Sequence, residues 1–139
     1  MVEIIAGQKG KGKTKYLLEK ANNAIKDAKG SIVYLDKSSK HMYELNNRVR
    51  LINVTDFGIK SYEAFIGFVC GIISQDHDLE QMYLDSFLKV ACLEGQDITE
   101  AIDQLTRIGQ TYDVTFILSI SQDAAHLPEN AKDKIVVSL

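Results

Sequence analysis

Eight residues near the start of the chain, Gly7-Gln-Lys-Gly-Lys-Gly-Lys-Thr14, carry its densest chemistry. They fit GxxxxGK[ST] in full, between a short apolar strand and a helical pattern, which is the context that motif needs. Gly7, Gly10 and Gly12 permit turns closed to other residues and let the backbone approach an anion closely. The N–H groups of such a loop point inward, and the helix that follows adds its positive dipole end. Lys13 supplies a charge for the outer phosphates, and the Thr14 hydroxyl supplies a ligand for Mg²⁺. A polyphosphate is the ligand this pattern fits. The alternative is a glycine-rich turn that binds nothing.

A cation on that phosphate needs an acid at the end of an apolar strand. Met82-Tyr-Leu-Asp85 supplies one, so Asp85 joins Thr14 as a candidate metal residue. A helix N-cap is the competing reading of Asp85. Asp76 and Asp78 lack the preceding apolar run. Hydrolysis also requires a group that positions or deprotonates water. The residue after Asp85 is Ser86, and the nearest carboxylate at another strand end is Asp36, either a base or a plain strand-end aspartate. His41, His77 and His126 lack metal-ligand spacing. Tyr16 is placed to stack on a base or to pack on the sheet.

Positioning these groups falls to alternating strands and helices. Val2–Ala6 reads as a strand, and the apolar spacing of Leu17, Leu18, Ala21, Ala24, Ile25 and Ala28 as a helix that stops at Gly30. Ser31–Asp36 is a continuous apolar run, as in a parallel strand covered on both faces. A short helix is expected over Ser39–Asn47, then a more polar, edge-like strand over Val49–Val54. Ser61–Ser74 predicts a largely buried helix, with Gly67 and Gly71 allowing close packing on the sheet. Leu79–Asp85 reads as a strand followed by a short helix through Leu93. Asp97-Ile-Thr-Glu100 resembles a capping box opening another helix. Val114–Ile120 and Ile135–Leu139 complete the strands. This order implies a mostly parallel sheet with helices on both faces, a three-layer α/β/α sandwich. Ligands of such sheets bind at the carboxyl ends of the strands, here Gly7, Asp36, Asp85 and Ser119–Ser121.

Whole-chain properties narrow the classes further. The 139 residues suit one domain, with 45% hydrophobic and 25% charged residues and a formal net charge of −3. The longest apolar run, Ala64–Ile73, is about half the ~20 residues of a membrane span. No export signal is visible, and Cys70 and Cys92 read as buried free thiols, so a cytoplasmic location is expected. No second basic stripe or aromatic-interleaved patch accompanies the loop, which gives nucleic-acid binding only weak support.

The loop and its context resemble the P-loop NTPase superfamily as a minimal core spanning the chain. Among its branches, GTPases carry DxxG and NKxD, whereas here Asp85 is followed by Ser-Phe-Leu and the nearest other string is Asn130-Ala-Lys-Asp133. The KGGxGK[ST] branch would place its lysine at Gln8. The additional-strand ATPases of RecA type fit better, since GxxGxGKT is their usual loop form, and Val114–Gln122 is similar to their sensor strand. That resemblance implies ATP and Mg²⁺ as ligands. It makes Gly7, Gln8, Lys9, Gly10, Lys11, Gly12, Lys13, Thr14 and Lys15 the nucleotide-binding residues, and Lys13, Asp36 and Asp85 the catalytic candidates.

The branch often places a glutamate where this chain has Ser86, so slow hydrolysis is the expectation. A nucleotide-dependent switch that docks a partner is the alternative, and a small-molecule kinase a third. The only arginines are Arg48, Arg50 and Arg107, so an arginine finger is expected from another subunit of a homo-oligomer or from a protein partner. Small stand-alone chains labelled twitching-motility ATPases are similar in size and loop. The histidine- and acid-rich boxes of pilus retraction ATPases are not found in these residues.

Overall fold

The computed structural model describes residues 1–139. Six strands, β1 (Val2–Ala6), β2 (Ser31–Asp36), β3 (Val49–Asn53), β4 (Leu79–Leu84), β5 (Thr115–Ile120) and β6 (Ile135–Ser138), form one sheet in the order β3-β2-β4-β5-β1-β6. Every pairing is parallel. Five α-helices connect or flank them: α1 (Lys13–Ala24), α2 (Tyr62–Ser74), α3 (Phe87–Val90), α4 (Thr99–Tyr112) and α5 (Glu129–Lys132).

Strand alternation divides the core in two. Ile5, Ile32, Tyr34, Tyr83 and Ile117 face α1 and pack on Leu17, Leu18 and Ala21. Ile4, Val33, Met82, Phe116 and Leu118 face the other way, toward Phe65 and Val69 of α2 and Ile102 and Leu105 of α4. Helices thus cover both faces of an α/β sandwich. The central strands are buried on both sides, which accounts for their unbroken apolar runs.

Register fixes where the polar strand ends fall. Ile5 pairs with Ser119, Leu35 with Leu84, and Leu84 with Leu118. The Asp85 N–H donates to the Leu35 carbonyl at 3.0 Å, so the strand ends at Asp36 and Asp85 lie side by side. Alternation places Asp36, Asp85 and Ser119 on the α1 face, each two residues beyond Tyr34, Tyr83 and Ile117.

Several local expectations are corrected. Ser39–Asn47 forms turns, closed by Met42 N–H to Ser39 O (3.1 Å) and Glu44 N–H to His41 O (3.0 Å), and no helix. α1 ends at Ala24 rather than near Gly30, with Lys26 and Lys29 in the turns beyond it. No capping box forms at Asp97. Its carboxylate accepts from both the N–H (3.0 Å) and the hydroxyl (2.7 Å) of Thr99, which holds its pKa below the ordinary value.

α2 is the largest departure. Only Phe65, Ile66, Val69 and Ile73 are buried, while Ala64, Gly67, Cys70, Gly71 and Ser74 are exposed. A Cβ at Gly67 or Gly71 would meet nothing within 4 Å, so neither glycine serves close packing. The cysteines are free, but Cys70 is exposed and Cys92 half-buried. No helix is long and apolar enough to cross a membrane.

Candidate functional site

The Gly7–Thr14 loop leaves β1 and turns directly into α1. Its first residue is tied down by the segment after β5, where Gly7 N–H donates to Gln122 O at 2.9 Å. The Gln8 side chain donates to Asp123 at 3.0 Å. Gly10 (φ 81°) and Gly12 (φ 95°) occupy left-handed backbone that a side chain would strain. Gly12 is the N-cap of α1, so no side chain caps the helix, and its first turn holds no acid. The first N–H groups of a helix have no intrahelical partner, and here they carry the positive dipole end into an uncapped opening. Such a backbone can accept an anion.

Lys13 is 7% exposed, and its ammonium arches back to donate to the Gln8 carbonyl at 2.8 Å. Burial lowers its pKa from the ordinary value, while the charge of Asp85 acts in the opposite sense. An ammonium has three donors, so the bond to Gln8 leaves two for a ligand.

Asp85, 1% exposed, is the most heavily held carboxylate in the chain. Its Oδ1 accepts from the Ser119 hydroxyl (2.7 Å), the Ser86 N–H (2.9 Å) and the Thr14 hydroxyl (3.3 Å). Its Oδ2 accepts from the buried Tyr34 hydroxyl at 2.8 Å. The Tyr34 ring stacks on Tyr83 (centroids 5.8 Å apart), which fixes the donor in turn. Burial, then the charge and the hydrogen bond of Asp85, push the Tyr34 hydroxyl far above its ordinary pKa, so it remains a donor. Three of these donors converge on Oδ1 and one on Oδ2, so most of the carboxylate's acceptor capacity is taken up within the protein.

A divalent cation on a bound phosphate would meet Thr14 rather than a cluster of carboxylates. Thr14 gives its one proton to Asp85, which leaves its oxygen lone pairs as the free ligands. Asp85 therefore orients Thr14 and supplies negative charge behind it. The N-cap reading of Asp85 does not describe these contacts, because Ser86 precedes α3 and Asp85 reaches across to two other strands and α1.

A cleft of about 630 Å³ opens at this end of the sheet. Of the candidate residues, Lys9, Gly10, Gly12, Lys13, Thr14, Lys15 and Asp85 line it, whereas Gly7, Gln8, Lys11 and Asp36 do not. Asp36 is 2% exposed, with Oδ1 accepting from the Lys37 N–H at 2.7 Å and Oδ2 buried without a partner. Burial first, and then the charge of Asp85, raise the Asp36 pKa above the ordinary carboxylate value. Tyr16 lies outside the cleft and packs against the core beneath α1.

Ser86, and Ser119, Ser121 and Gln122 at the end of β5, line the cleft, as their place at strand ends suggests. Sequence reasoning missed Lys37, Leu88, Lys89, Glu94 and Gly95, which complete the wall. Neither Lys37 nor Lys89 is in an ion pair. The signals for the missed residues were position: Lys37 directly follows the Asp36 strand, and the rest lie in the segment after the Asp85 strand. His41 pairs with Glu44 (2.8 Å) and His126 with Asp123 (3.8 Å) on the surface, and His77 is exposed. No protein-family model matches the chain, and no curated protein matches it by sequence.

Proposed function

We propose that the chain is a P-loop nucleotide-binding protein of the additional-strand, RecA-like type, which holds Mg·ATP on the Gly7–Thr14 loop and hydrolyses it slowly. One observation carries the reading: residues 71 apart in sequence, Thr14 and Asp85, share a hydrogen bond beside an uncapped, glycine-built helix start. A motif that was only a glycine-rich turn would have no reason to face a buried acid clamped by three further donors. β5 intervenes between β1 and β4, the arrangement an additional strand requires, and it delivers Ser119 to Asp85.

In this reading the loop N–H groups and Lys13 bind the β- and γ-phosphates. Thr14 ligates the magnesium ion, and Asp85 keeps that hydroxyl oriented through its own bonds to Tyr34, Ser86 and Ser119. Magnesium bound there would neutralise charge on the phosphates. Lys37 and Lys89 add positive charge across the cleft, which lessens the need for an arginine from a second subunit. Phosphate release at saturating Mg·ATP tests the enzyme reading. Turnover well above a Lys13→Ala control is expected, and turnover equal to that control would remove it.

The second reading, a nucleotide-dependent switch that docks a protein partner, has its own observation. A cleft of about 800 Å³ beside edge strand β3 is lined by Ile52, Phe57, Phe68 and Ile72 and by Arg48 and Arg50. It adjoins the exposed side of α2 at Gly71. Apolar surface rimmed by charge is the usual character of an interaction site.

A further inference from the structure

A carboxylate that faces the cleft and is free to accept a proton is one group able to activate water there, and the chain offers few. Asp85 is 1% exposed and already held by Tyr34, Ser86, Ser119 and Thr14. Asp36 is buried outside the cleft, one residue before the lysine that does reach it. Asp123, which follows β5, accepts from Gln8 and pairs with His126, and it does not line the cleft. Only one other acid lines the cleft: Glu94.

Glu94 arrives there by an unusual backbone path. Of the three non-glycine residues with positive φ in the chain, Ser86 (51°) and Cys92 (59°) fall within the ten residues that wall this side of the cleft. Each costs of order 1–3 kcal/mol, and such strain persists where surrounding structure enforces it. Ser86 is enforced by its N–H bonds to Asp85 and Ser119 (2.8 Å). Cys92 sits in a turn closed by Cys92 N–H to Lys89 O (3.2 Å) and Leu93 N–H to Leu88 O (2.8 Å). Leu93 (5% exposed) and Ile98 (2%) then anchor the segment in the core. Between these anchors the chain turns Glu94 and Gly95 (φ 74°) onto the cleft. The Glu94 carboxylate has no hydrogen bond or ion pair within the protein, although buried anchors bracket it. It is exposed, unengaged and held on a braced turn.

We propose that Glu94 is the catalytic base of this site, positioning the attacking water and accepting its proton; the assignment rests on the nucleotide reading above. The water oxygen forms a bond to the γ-phosphorus as the bond from that phosphorus to the β–γ bridging oxygen breaks. The electron pair leaves with ADP, and the water proton passes to the Glu94 carboxylate and then to solvent. ADP, phosphate and one proton are the products, and no other reactant is required. Lys89, in the same wall, faces the charge that develops on the transferred group.

The test compares the full-length chain with Glu94→Gln, Asp36→Asn and Lys13→Ala, by phosphate release and by calorimetry with Mg·ATP. Glu94→Gln is expected to lose about 100-fold or more in turnover, the usual contribution of a positioned base. Its affinity for Mg·ATP should stay within about threefold of the parent, since a group acting only in the transition state leaves ground-state binding unchanged. The same variant should lose the extra affinity that the parent shows for ADP with aluminium fluoride over ADP alone, because that complex mimics the transferred phosphoryl group. Asp36→Asn, at the other carboxylate weighed as a base, should lose less turnover than Glu94→Gln, because Asp36 does not line the cleft. Glu94→Gln turnover equal to the parent, or a loss confined to Asp36→Asn, would overturn the assignment and leave the nucleotide site standing. Equal Mg·ATP binding by Lys13→Ala and the parent would instead overturn the nucleotide reading and the assignment with it.

Discussion

Two aspartates at neighbouring strand ends are treated in opposite ways. Asp85 receives four donors, two from side chains of other strands, and is held ready as an acceptor. Asp36 receives one backbone N–H and keeps a buried oxygen without a partner. Burial and the Asp85 charge raise its pKa, so the folded chain binds more protons than the unfolded chain between the ordinary carboxylate pKa and the folded value. Stability should therefore fall as pH rises through that window and return as pH drops. Urea titrations without magnesium across that range should show the slope in the parent and its loss in Asp36→Asn; identical pH profiles would contradict the burial account. Lys13, Thr14 and Asp85 were legible because motif spacing and an apolar run name residue types. The Tyr34 bond to Asp85 was not, since Tyr34 reads as one more apolar residue of β2, and the strand-end position of Ser119 gave no sign of its bond to Asp85.

Element by element, continuous apolar runs located β1, β2 and β5 within a residue, because strands covered on both faces leave that pattern. Turns such as Ser39–Asn47 were harder to read, for polar residues at helical spacing need an apolar face to stay helical, and there only Leu45 is buried. α2 misled for the reverse reason. Its composition is apolar nearly all round, yet the sheet covers one side only, and Gly67 and Gly71 face open space. Glycine in a helix interior costs about 0.5–1 kcal/mol relative to alanine. Gly67→Ala and Gly71→Ala should each raise stability by about that amount in urea unfolding. A loss of stability in both would mean that something packs against this helix face. The short helix expected through Leu93 forms only as Phe87–Val90, and the path beyond it to Gly95 had no periodic signature, because it depends on strained turns braced by tertiary contacts.

At the scale of the whole molecule, a chain of net charge −3 gathers Lys9, Lys13, Lys15, Lys37 and Lys89 around one cleft with Asp85 and Glu94. The parallel sheet accounts for this concentration. All its strands point one way, so loops far apart in sequence converge on one end, where a helix start faces the same opening. The fold class followed from the alternation of strands and helices, whereas the order β3-β2-β4-β5-β1-β6 could not be read from periodicity, which carries no information on strand neighbours. The central claim is that this cleft binds Mg·ATP through the loop. Calorimetry with Mg·ATP tests it most directly: saturable binding by the parent that is absent in Lys13→Ala is the result predicted, and equal binding by both proteins would contradict it.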